Sequence, residues 1–169
     1  ISLRRAVEKS SNVATYRLYE ELGTRTCMKY LEALNFKGLD KKDYKYNTTC
    51  LGGFTNGTTV VEMAAGYATI ANDTPDCIIK ITDAKGNDIV PEDTSTKSVY
   101  SSSASRMMTS VLQSCVTEYE GTAHVCQLDV DMPAACKTGT TNNYVDGWLC
   151  GYTPYYTTAV WVGMDVYKS

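Results

Sequence analysis

Lys137-Thr138-Gly139-Thr140-Thr141 places an ammonium, several hydroxyls and a glycine in one short run. The ammonium supplies charge and the hydroxyls supply directed hydrogen bonds. The glycine lets a ligand approach the backbone, so the run has the makings of a compact anion site. Ser10-Ser11-Asn12 is a second candidate. A serine hydroxyl there would relay a proton and the asparagine would hold an amide. Both residue types also cap helices, and that reading stays open at this point. The seven cysteines include no C-x-x-C pair, and His124 is the one histidine, so a zinc cluster is not indicated. Mostly free, buried thiols are expected, with one or two disulfides as the alternative in an oxidising compartment. His124 reads as a surface or packing residue.

The elements that would carry these groups follow from pattern and punctuation. A chain of 169 residues predicts one domain. Leu3, Ala6, Val7 and Ser10 fall on one helical face, and Ala14, Leu18 and Leu22 continue the stripe to a C-capping Gly23. A second helix is expected over Met28 to Leu34, and loop over 35–57. Thr59 and Glu62 form a capping box for an Ala- and Met-rich, interior helix ending near Ala71. Residues 78–90 read as a hairpin turning at Lys85-Gly86-Asn87, and 92–103 as loop. A further helix has Met107, Met108, Val111, Leu112 and Cys115 as its apolar face. Three strands are expected at 134–141, 146–153 and 156–165, with turns at Asn142-Asn143-Tyr144 and Thr153-Pro154-Tyr155. The division is 1–130, mainly helical, and 131–169, antiparallel strands. Helices first and hairpins last make the fold class α+β. With the strand turn near Asn143, Cys136 and Cys150 fall roughly opposite each other; two free thiols are favoured over a strained cross-strand disulfide.

Charge excludes some partners. Sixteen basic and nineteen acidic residues leave a net charge of −3, a poor match for nucleic acid. No apolar run approaches the roughly 20 residues of a membrane span.

Longer segments add a resemblance. SLRRAVEKSSNVATYRLYEELG, LGGFTNGTTVVEMAAGYATIAN, GTA at 121–123, KTGTTNNYVDGWLCGYTP at 137–154 and TAVWVGMD at 158–165 occur in one order. In that order they resemble the transpeptidase domain of class A penicillin-binding proteins, over nearly the whole chain. Ser-x-Asn and Lys-Thr-Gly are signatures of those proteins and of related β-lactamases. Val60 stands where proline is usual and Cys136 where glycine is frequent.

The resemblance implies a β-lactamase/transpeptidase-like fold and a set of roles. Ser10 would shuttle protons, Asn12 would bind the substrate amide, and Ser11 is the variable middle residue. Lys137 would support the proton network and the substrate carboxylate, which Thr138 and Thr140 would hold. The backbone N–H of Thr140 would be one oxyanion-hole donor, and Asp146-x-Trp148 would support the motif strand. The implied activity is peptidoglycan D,D-transpeptidation through an acyl-serine enzyme. Its partners are D-Ala-D-Ala stem peptides and β-lactams, with no cofactor or metal. The implied setting is extracytoplasmic, with membrane anchoring and a glycosyltransferase domain upstream. A β-lactamase or β-lactam sensor and a catalytically dead cell-wall scaffold are the rival readings.

One signature is missing. No lysine has a serine three positions earlier; Thr26-Cys-Met-Lys29 and Thr94-Ser-Thr-Lys97 are among the nearest strings. The nucleophile of Ser-x-x-Lys is therefore expected upstream of Ile1, and this chain is expected to be an incomplete domain, inactive alone. The strand at 156–165 would then leave a sticky edge, open to dimerisation.

Overall fold

The computed structural model describes residues 1–72, 85 and 99–164. The expected 78–90 hairpin and most of the 92–103 loop lie outside the described residues, as does Cys77. Among the described residues five α-helices precede a sheet: α1 (Leu3–Glu8), α2 (Asn12–Leu22), α3 (Thr24–Ala33), α4 (Val60–Ala71) and α5 (Ser102–Thr117). The strands β1 (Ala135–Thr140), β2 (Gly147–Tyr152) and β3 (Thr157–Val162) form an antiparallel sheet in the order β1-β2-β3.

Local chemistry sets the helix ends. Thr59 Oγ1 accepts from the Glu62 N–H while the Glu62 carboxylate accepts from the Thr59 N–H, so the capping box opens α4 as expected. Gly23, at φ 81°, ends α2 and starts α3. Between α3 and α4 the chain winds around Asp43, which is 1% exposed. Its carboxylate accepts from the N–H groups of Asp40 and Thr55 and from the Thr55 hydroxyl. These bonds hold it below its usual range against the opposing effect of burial.

Two helical faces differ from expectation. In α5 Ser105, Leu112, Cys115 and Val116 share one buried stripe and Ser114 is buried beside Arg4 of α1, while Met107 is 65% exposed and Met108 39%. At about 100° per residue, Met107 lies about 200° round the helix from Ser105, so it cannot share that stripe. Helix α4 is not an interior helix: Thr69 is its one fully buried residue, and Val61 is exposed. In the first segment Ala6 is buried, but Leu3 and Leu22 are exposed, and Tyr19 carries the burial in α2.

The sheet packs against α4 and α5. Leu112, Ala135 and Tyr152 form one buried cluster with Val7, Tyr67 and Ile70 around it. Cys115, Val116, Ala123 and Cys136 form a second, flanked by Cys126, Ala134 and Leu149. The register pairs Cys136 with Gly151 and Lys137 with Cys150. The expected Cys136–Cys150 opposition is therefore off by one, and all six described cysteines are free thiols.

Strand β3 lies at one edge of this sheet, with Val160 and Val162 exposed. Among the described residues no helix is long and apolar enough to cross a membrane.

Candidate active site at the free edge of strand β1

Helix α1 ends in a turn that delivers Ser10. The Ser10 N–H donates to the Val7 carbonyl at 3.0 Å and the Ser11 N–H to the Ala6 carbonyl at 2.8 Å. This is the Schellman pattern, and it puts Ser10 at the left-handed position, φ 51°, that glycine ordinarily fills. Ser11 then caps α2, its hydroxyl accepting from the Ala14 N–H. The two adjacent serines thus divide the labour: Ser11 does the capping that sequence alone left open for the whole tripeptide, and Ser10 keeps its hydroxyl for another partner.

That partner is Lys137. Its Nζ donates to Ser10 Oγ at 2.9 Å and to the Thr138 carbonyl at 2.8 Å. The strand edge explains the second bond. Thr141 N–H donates to the Asp146 carbonyl, so the alternation of antiparallel pairs makes Gly139–Trp148 and Lys137–Cys150 the bonded pairs. The N–H and C=O of Thr138 and Thr140 then face the free edge of β1, away from β2. Thr138 is half-buried and Thr140 exposed, and both side chains lie on the sheet face opposite that of Lys137. Asn12 is exposed in the first turn of α2.

Lys137 is half-buried, and burial pushes its ammonium below the ordinary lysine range. Among the described residues no carboxylate is within ion-pair distance of it. A lowered folded pKa means that the unfolded chain binds more protons between that value and 10.5, so stability from this group rises with pH through that window and is lost as pH falls. Relative to Lys137→Met, the native chain is expected to gain stability as pH increases toward 10.5. Paired urea titrations check this, and parallel pH profiles would reject it.

The Ser10 turn also makes a clean stability prediction. Ser10→Gly and Ser10→Ala both lose the hydroxyl, but only alanine keeps a side chain at positive φ. The glycine variant is expected to be the more stable by about 1 kcal/mol, read from urea midpoints. Equal midpoints would show that the turn relaxes.

Sequence reasoning missed what anchors this turn. The Thr122 N–H donates to the Glu8 carbonyl at 3.1 Å, tying the end of α1 to the loop after α5. Arg5 bridges the carboxylates of Glu8 and Glu120, and Lys9 lies 3.2 Å from Glu120. Glu8 is buried, and its carboxyl is held below the usual range by the Ser114 hydroxyl first and then by Arg5, against the cost of burial. Arg5 and Glu8 at i, i+3 were a visible signal, but Glu120 was not.

Asp146 supports the motif strand more widely than its own tripeptide suggested. It accepts from Thr141 Oγ1 at 2.9 Å and from Trp161 Nε1 at 3.1 Å, binding the β1–β2 turn to β3. His124 is structural: its Nδ1 lies 3.2 Å from the Val116 carbonyl, and its ring meets Tyr119 edge-on.

The family model for the penicillin-binding protein transpeptidase domain matches residues 1–169. The chain belongs to the penicillin-binding protein transpeptidase family. Penicillin-binding protein 1A of Clostridium novyi is 32% identical over all of this chain and 20% of its own length. Penicillin-binding protein 4 of Bacillus subtilis is also 32% identical, over 98% of the chain and 26% of its own length. The chain thus spans about a fifth to a quarter of these transpeptidase-family relatives. Penicillin-binding protein 1A of Haemophilus influenzae shares the fold, with a TM-score of 0.73 at 22% identity over 98% of this chain and 30% of that one. The α+β, transpeptidase-like fold class expected from the sequence is therefore established.

Proposed function

We propose that this chain supplies part of the active site of a serine D,D-transpeptidase that cross-links peptidoglycan stem peptides and is acylated by β-lactams. The 2.9 Å contact between Lys137 Nζ and Ser10 Oγ carries the reading. Acyl transfer needs a nucleophile, a proton relay and a preorganised site for the oxyanion. In this scheme a serine outside the chain attacks the carbonyl carbon of the penultimate D-Ala. Its proton passes through the Ser10–Lys137 pair to the departing D-Ala amine. A half-buried lysine with a lowered pKa suits such a relay, because it exchanges protons nearer neutral pH.

The substrate carboxylate would lie along the free edge of β1, where the Lys137 ammonium would reach it from one face of the sheet and the hydroxyls of Thr138 and Thr140 from the other. The Thr140 N–H, facing the free strand edge, would donate to the oxyanion, a contact worth about 3–4 kcal/mol in the barrier. Asn12 would receive the substrate amide. The nucleophile being elsewhere, the isolated chain would be inactive. The whole protein would act outside the cytoplasm, anchored to the membrane, and the edge of β3 would pair with another strand or a second copy.

Intact mass after incubation with benzylpenicillin tests the reading, on this chain and on a version extended upstream by about 100 residues. The expected result is a stable penicilloyl adduct on the longer chain alone. Rapid loss of the adduct would favour a β-lactamase, and no adduct on a folded longer chain would favour a cell-wall-binding scaffold.

A further inference from the structure

The sulfur-rich cluster beneath the motif strand is not used by this chemistry. Cys115 and Cys136 are 0% and 9% exposed in one core cluster, and Cys126 packs against it. The three come from different places: Cys115 from α5, Cys126 from the end of the helical turn His124–Cys126, and Cys136 from β1. They also differ in access. Cys126 is half-buried and Cys136 is 9% exposed, so a reagent in solvent has the readier access to Cys126. Opposite Cys136 the partner strand carries Gly151. A Cβ there would stand 2.5 Å from Cys136 Sγ, so the glycine leaves the space that this thiol occupies.

We propose that Cys126 and Cys136 are a reversible, redox-sensitive pair that closes to a disulfide immediately before Lys137. The reaction is thiol–disulfide exchange with a disulfide oxidant. The Cys126 thiolate attacks one sulfur of the oxidant and expels the other as a thiolate. The Cys136 thiolate then attacks Cys126 Sγ and expels the second half. Two cysteine thiols lose two electrons and two protons, and the oxidant is reduced to two thiols. Burial raises the Cys136 thiol above its ordinary range, and Cys126 is the first neighbouring charge that would raise it further. The order of attack, half-buried thiol first and buried thiol second, follows from their difference in access. The bond would tether β1 to the turn after α5, one residue from the Lys137 ammonium.

The test is oxidation of the folded chain with glutathione disulfide, followed by alkylation of remaining thiols and peptide mapping. Trypsin alone leaves 107–137 as one peptide, since no lysine or arginine lies within it before Lys137. Cleavage after Glu120 and before Asp129 separates the three cysteines. The expected result is a Cys126–Cys136 cross-linked peptide with Cys115 alkylated, reversed by dithiothreitol and absent in Cys126→Ser. Separate alkylation of Cys126 and Cys136 in the oxidised wild-type chain would overturn the proposal. So would linkage of Cys136 to Cys115 instead. Because wild-type mapping decides the outcome, it stands even if the variant fails to fold. The result does not depend on penicillin acylation, so the two readings fail separately.

Discussion

Lys137→Ala is expected to slow benzylpenicillin acylation of the chain extended upstream by roughly two to four orders of magnitude, the range of a lost general acid–base group. The expectation rests on two bonds made by one ammonium. Nζ reaches Ser10 Oγ and the Thr138 carbonyl together, so removing it takes away the relay and the cation at the strand edge at once. Lys137→Arg separates the two contributions. A guanidinium keeps the charge but does not deprotonate. The arginine variant should recover binding of the β-lactam carboxylate, seen as a near-native apparent affinity, while acylation stays slow. Rapid-mixing kinetics with a reporter β-lactam reads both quantities. Acylation of Lys137→Ala within a few-fold of native would remove Lys137 from the chemistry and leave it a strand residue that happens to touch a serine.

Gly121→Ala is the substitution expected to disturb the fold most. A Cβ at Gly121 would stand 2.2 Å from the Cys115 carbonyl oxygen and 2.7 Å from its carbon, both backbone atoms. Backbone cannot swing aside as a flexible side chain does, so the loop must move. The loss should be about 3 kcal/mol, the upper part of the overpacking range. The displacement would propagate, because the next residue, Thr122, donates its N–H to the Glu8 carbonyl and so anchors the turn bearing Ser10. Denaturant midpoints give the stability, and the acylation rate of the longer chain should fall with it. A variant with native stability would mean that the 118–121 turn has slack that the close contacts do not suggest.

Legibility in the sequence tracked the range of the determining interaction. The Thr59–Glu62 capping box and the Gly23 helix end depend on neighbours within four residues, and both were readable. The motif strand was readable because lysine, threonines and glycine stand together and the strand turns are flagged by their own residues. The register was not. A turn centred on Asn143 would oppose Cys136 to Cys150, whereas the observed turn includes Tyr144 at φ 56° and shifts every pair by one. A one-residue shift exchanges the faces of a strand, so it moves Cys150 onto the Lys137 side. The exposure of Met107 and Met108 was hidden for a related reason: a helix with apolar residues on several faces does not announce which one meets the sheet. At the site, the resemblance assigned both Ser10 and Lys137 to proton transfer, but their direct contact across 127 residues is a product of the fold. The left-handed turn that aims Ser10 could not be read, because glycine ordinarily marks such a position and serine does not.

The packing of Trp148 against Trp161 gives the molecule an optical signature. These are the chain's two tryptophans, directly opposite on β2 and β3, with ring centroids 6.5 Å apart and planes inclined at 48°. Transition dipoles at that separation and tilt couple, so the folded sheet should show an exciton couplet in circular dichroism that neither ring produces alone. The couplet reports on strand pairing, while helical ellipticity reports on α1 to α5. Recorded together through a denaturant titration, the two signals would tell whether sheet and helices dissolve in one step or whether the strands part first.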